Sequence, residues 1–243
     1  MKAFTPLLVH SSSGRTSRGA AVCRADADAD ADAMPTVIWL HGLGDSGAGW
    51  SHLRSELRIG GVDYIFPDAP VQPVSCNGGM SMPSWMDLDD IPVKLGLRDD
   101  AEGLEKSTAM IHAEIDKVVA KGTPAEQVLV GGFSQGGAMA VRAVYSYKAK
   151  LAGCVCFSGW AAQEAKLKGW LETGANKATP AMVVHGTIDE VVKPECGLKV
   201  AELLEKAGTP VQTMTYQMGH STHPAQMKQT AEFVKACLGL GED

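Results

Sequence analysis

The sequence predicts an α/β fold, a mostly parallel sheet with helices on both faces, and three observations carry that prediction. Short apolar runs rich in β-branched residues alternate with amphipathic helical stretches from Thr36 to Leu238. In the middle, Val128-Leu-Val130 runs through Gly132-Phe-Ser134-Gln-Gly136 directly into Ala138-Met-Ala-Val141, which reads as a buried strand, a tight turn and a helix. The 243 residues show no internal repeat or linker, so the elements belong to one domain with ample material for a core.

Composition narrows the function classes. A net charge of −6, with no Lys/Arg cluster, leaves no phosphate-tracking surface and predicts no nucleic-acid partner. The longest apolar runs are strand-length, so no transmembrane segment is expected. The six cysteines have no CxxC spacing; Cys154 and Cys156 share one face of a strand and read as reduced core residues, which favours a reducing compartment, the cytoplasm. Residues before Asp26 lack acids and carry Lys2, Arg15, Arg18, Arg24 and a Ser11-Ser12-Ser13 run, a composition similar to an organelle transit peptide, which makes a plastid the alternative location. The alternating Ala/Asp stretch through Ala33 cannot bury anything, so residues 1–33 are expected to be a disordered extension and residues 34–243 the folded domain.

The elements follow in order. Thr36 to His41 is a first buried strand opening into Gly42-Leu-Gly-Asp-Ser-Gly47, and Asp63 to Pro67 is a second. The three glycines of the first loop also satisfy the dinucleotide-binding spacing, but that reading leaves the serine turn unexplained. Val71 to Arg98 has no clear periodicity and an unusual apolar content, including Met80, Met82, Trp85, Met86, Leu88 and Ile91; a loop of that length inside a domain is usually functional. Asp99 to Gly122 is a long amphipathic helix, with Leu104, Ile111, Ile115 and Val118 inward. Leu151 to Ser158 is a strand with Trp160 just past its carboxyl end, and Ala161 to Thr179 reads as a helical excursion and connector that the sequence does not resolve further. Pro180 to Gly186 is a strand, Glu195 to Ala207 a helix, Val211 to Tyr216 a strand, and a last helix closes at Leu238.

Chemistry concentrates in three loops. A serine hydroxyl is a poor nucleophile near neutral pH and needs a histidine to take its proton and a buried carboxylate to hold that histidine's tautomer. Ser134, Asp189 and His220 follow expected strands in the order serine, acid, histidine, the order of α/β-hydrolases. Glu190 is a rival acid and His223 a rival base, while His41 and His185 end their strands too early and read as structural. The amides of Leu43 and of Gln135, just after the serine, are the expected oxyanion donors.

Several stretches together resemble the acyl-protein thioesterases and related lysophospholipase-like carboxylesterases, in particular the plant branch. They are His41-Gly-Leu-Gly-Asp-Ser-Gly-Ala-Gly-Trp50, Pro67-Asp-Ala-Pro70, Pro83-Ser-Trp-Met-Asp87, Gly131-Gly-Phe-Ser-Gln-Gly-Gly-Ala138, His185-Gly-Thr-Ile-Asp189 and Met218-Gly-His-Ser221. The resemblance implies an α/β-hydrolase fold with a small loop-built cover, no cofactor or metal, and Ser134, Asp189 and His220 as triad, with His220 preferred to His223 because it follows a glycine. It also implies hydrolysis of the thioesters of palmitoylated proteins, of oxygen esters and of lysophospholipids, with Trp85, Met86, Trp160 and Val192 along an acyl channel. Transient contact with a membrane surface and a homodimer are compatible with it. A carboxylesterase for small esters and a non-catalytic ligand receptor on the same fold are the alternatives.

Overall fold

The computed structural model describes residues 33–241. The expected extension therefore lies outside the described residues except for Ala33, and the described chain folds around one sheet. Its strands are β1 (Thr36–Leu40), β2 (Asp63–Ile65), β5 (Val128–Phe133), β6 (Gly153–Phe157), β7 (Ala181–Gly186) and β8 (Val211–Tyr216), while β3 (Val71–Val74) and β4 (Met80–Pro83) pair separately. The order across the large sheet is β2-β1-β5-β6-β7-β8, and every neighbouring pair is parallel.

Parallel strands covered on both faces need apolar side chains at consecutive positions, and the inner strands supply them. In β1, Ile38 and Leu40 enter one core cluster and Val37 and Trp39 the other; in β5, Val128 and Val130 oppose Leu129 in the same way. The first cluster is roofed by α3 (Ala101–Ala120), α4 (Gln135–Ser146), α5 (Glu164–Thr173) and α6 (Pro194–Lys206), the second by the short α1 (Gly47–Trp50), α2 (Leu53–Leu57) and the long α7 (Pro224–Leu238). Helix α4 is buried from Gln135 through Tyr145, which is why its sequence is mostly small and apolar, the one guanidinium in it, that of Arg142, being met by Thr108, Gln163 and Glu105. Trp39 anchors the opposite layer, with ring centroids 5.0 Å from Phe157 and 5.5 Å from Trp50.

The 71–98 excursion is more ordered than a loop. β3 and β4 form an antiparallel pair, so the cover is a hairpin followed by coil. Main-chain hydrogen bonds tie it to the sheet's carboxyl edge at two places: Gly44 N–H donates to Pro83 O (2.8 Å), and Val93 N–H donates to Val191 O (2.8 Å) while Val93 O accepts from Lys193 N–H (2.9 Å). The connector left open in the sequence contains α5, entered through Gln163 at φ 51°. No helix among the described residues is long and apolar enough to cross a membrane.

Candidate active site

Register brings the loops together. Leu40 aligns with Gly132, Phe133 with Phe157, and Gly186 with Tyr216, so the segments after β1, β5, β7 and β8 all leave the same edge of the sheet. Ser134 is the single residue between β5 and α4, at φ 57° and ψ −121°. A non-glycine residue there is strained, and the surroundings hold it: its N–H donates to Phe157 O (2.8 Å) and its carbonyl accepts from Ala138 N–H (3.1 Å). The turn closes so tightly that a Cβ on Gly136 would stand 2.0 Å from Leu40 O, and one on Gly132 2.3 Å from Gly136 O.

Ser134 opens onto a cavity of about 590 Å³ bordered also by Gly42, Leu43, Val93, Val192 and His220. His220 Nδ1 is 2.8 Å from Asp189 Oδ2, which leaves Nε2, across the ring, as the nitrogen available to the cavity. The Phe133 ring packs on the His220 imidazole at 4.6 Å between centroids, so the residue preceding the serine also braces the histidine. The Asp189 side chain is fully buried. Burial pushes its carboxyl up, but the His185 and His220 imidazoles and the Val192 amide, which turn N–H groups toward it, outweigh that and hold it well below the usual carboxylate range. It is therefore an anion placed against the imidazole.

Leu43 borders the cavity, and the Gln135 N–H is the first of α4, among those a helix leaves without an intrahelical partner. The glycine loop packs on the serine, a Cβ on Gly42 reaching 3.4 Å from Ser134 Cβ, and the helix after it is only four residues long. That arrangement suits an oxyanion loop rather than a dinucleotide turn.

The rival residues have other work. Glu190 is exposed, and His223 caps α7, its Nδ1 accepting from Ala225 N–H at 3.2 Å. His41 is buried with Nε2 accepting from Ala69 N–H (3.0 Å), so its Nδ1–H donates to Gly42 O (2.7 Å).

Of the four expected channel residues only Val192 borders this cavity. Trp85 is completely buried in the core, its indole N–H donating to His41 O at 2.8 Å, because the Ser84–Met86 segment turns its backbone polar groups toward Gln135. Met86 and Trp160 border a separate cavity of about 150 Å³, and Leu88 borders both. Leu88 and Ile91, named from the sequence only among the excursion's apolar residues, and Val93, which was not named, supply the apolar wall instead. The excursion's apolar content was the available signal. The side chain of Gln135 was also missed: Oε1 accepts from Trp85 N–H (2.9 Å), and Nε2 donates to Met86 O (2.8 Å) and Ser84 Oγ (3.0 Å).

Among the described residues no group of His, Cys, Asp and Glu side chains could hold a metal ion.

A parallel sheet with a strained serine between its central strand and the next helix, and an acid and a histidine on later loops of the same edge, defines an α/β-hydrolase enzyme. The chain belongs to the phospholipase/carboxylesterase family, whose pattern matches residues 24–238. It is 38% identical over 213 residues to a probable carboxylesterase of Oryza sativa subsp. japonica, covering 85% of this chain and 79% of that one. It is 36% identical to acyl-protein thioesterase 1 of Gibberella zeae over 84% of this chain and 90% of that one. The crystal structure of Arabidopsis thaliana SOBER1 superposes with a TM-score of 0.79 at 33% identity, covering 84% of this chain and 98% of that one.

Proposed function

We propose that the chain is a serine hydrolase that cleaves acyl thioesters and esters through an acyl-enzyme, with S-acylated proteins as its principal substrates. The observation that carries the reading is the hydrogen bond of His220 to the buried Asp189 beside the cavity that Ser134 shares. Ser134 Oγ attacks the acyl carbonyl and gives its proton to His220 Nε2. The tetrahedral oxyanion faces the Leu43 and Gln135 amides. Collapse expels the thiolate or alkoxide, which His220 protonates, and water activated by His220 then releases the acid. The relatives named acyl-protein thioesterase support the thioester reading, and the apolar wall of Leu88, Ile91, Val93 and Val192 suits an acyl chain. Lysophospholipids and simple esters present the same carbonyl and fall within the proposed range, at a cytoplasmic site of action.

A fluorophosphonate should modify Ser134, and Ser134→Ala or His220→Ala should lower kcat on the order of 10⁴ to 10⁶-fold with a long-chain thioester. Near-full activity in either variant would end the assignment, and an unlabelled Ser134 would favour a non-catalytic receptor. Higher kcat/KM for short esters than for palmitoyl-peptide thioesters would instead favour the small-ester carboxylesterase.

A further inference from the structure

We propose that His185 is a positioning residue of the hydrolytic site: its Nε2–H, donated to Val192 O, holds the acid's turn closed and keeps the ring against the Asp189 oxygen that His220 uses. The inference rests on the reading of Ser134, Asp189 and His220 given above.

His185 Nε2 lies 2.9 Å from Val192 O and 3.4 Å from Asp189 Oδ2. A carbonyl oxygen can only accept, so Nε2 carries the proton and donates to Val192 O, and the same N–H edge lies against Asp189 Oδ2. Asp189 receives three hydrogen bonds: the Val191 and Val192 amides donate to Oδ1, each at 2.9 Å, and His220 Nδ1 donates to Oδ2 at 2.8 Å. The division between the oxygens matters: the main chain holds one, and His220 holds the other with the His185 ring packed beside it, so the carboxylate cannot rotate without breaking bonds at both.

The ring itself is held for this purpose. His185 and Asp189 side chains are 2% and 0% exposed. The other ring nitrogen, Nδ1, is buried with no hydrogen-bond partner, and α6 presses on it through Gly197, where a Cβ would stand 2.2 Å away. An unpaired buried acceptor is destabilising. Here one nitrogen is left unsatisfied while the other is aimed at the acid's turn, an arrangement that space filling alone does not require. Because Val192 borders the cavity, this bond fastens the acid's turn to the cavity wall.

The test compares full-length wild type with His185→Leu and His185→Gln, using 4-nitrophenyl butyrate for kinetics and ¹⁵N-histidine spectra for the rings. The leucine variant is expected to lose on the order of ten-fold in kcat, with KM within about two-fold. Glutamine, which keeps an N–H donor, should recover part of the loss. The wild-type spectrum should contain a neutral ring protonated at Nε2 that vanishes in both variants, and the low-field His220 Nδ1 proton should shift in His185→Leu. Wild-type kcat in the leucine variant, a change in KM alone, or a wild-type His185 protonated at Nδ1 would overturn the proposal. Should the leucine variant not fold, the wild-type tautomer and the glutamine variant's kcat decide it. Fluorophosphonate labelling of the wild type separates the two levels: an unlabelled Ser134 removes the underlying reading, whereas a labelled Ser134 with indifferent variants removes only the role of His185.

Discussion

Gln135 carries two roles in one residue. Its main-chain amide opens α4 beside the nucleophile, while its fully buried side chain bonds the Ser84, Trp85 and Met86 segment across about fifty positions of sequence. Truncation would strand the Trp85 N–H in a dry interior, and an unmet buried donor costs about 1 to 3 kcal/mol. Gln135→Ala should therefore unfold at lower urea, by about 2 to 3 kcal/mol, with kcat reduced and Ser134 still open to fluorophosphonate. Equal stability in the variant would mean that water or a shifted loop replaces those bonds. Here the sequence is half legible. The position after the serine announces the amide, but nothing in Gly132-Phe-Ser134-Gln-Gly136 says where a glutamine side chain will reach.

Among the elements, α3 and α4 meet through His112, which donates from Nε2 to Ala143 O at 2.9 Å. Burial lowers the pKa of His112, with the Ala143 hydrogen bond and the nearby Asp116 opposing it in part. The unfolded chain therefore takes up a proton near pH 6.5 that the folded helix pair refuses until lower pH. The contribution is complete above that value and is lost as pH falls through the lowered pKa. Tm should drop on acidification from pH 7 to 5, and His112→Gln should flatten the slope; identical slopes would place the acid sensitivity elsewhere. The strands were legible because both faces of each inner one are covered, so they read as unbroken apolar runs. Two classes of element were not. Helices α1 and α2 are four and five residues long, too short to show a period. Strands β3 and β4 carry Pro73, bracket Gly78-Gly79 and expose Val71 and Met80, so neither alternation nor a buried run marks them.

For the whole molecule, two apolar layers on one sheet place the thiols of Cys154, Cys156 and Cys196 out of reach. Burial pushes Cys154 far above its ordinary pKa and Cys156 and Cys237 up to about 12, so the reactive thiolate is scarce at neutral pH. Iodoacetamide at pH 7.5 should leave Cys154 and Cys156 unmodified in native protein and alkylate them once urea opens the sheet; rapid native labelling would indicate frequent opening of the core. The sequence showed which residues are apolar, but not which way the 71–98 excursion turns them, and for that reason Trp85 went to the interior while Val93 faced the cavity. The fastening of Pro83 O to the Gly44 amide has a mechanical consequence. A hairpin bonded to the neighbour of Leu43 cannot swing as an independent flap, because any lift that admits a bulky acyl group also tugs on the peptide that would cradle the reacting oxygen. Displacement of the hairpin is therefore coupled to the Leu43 loop through the Gly44 N–H.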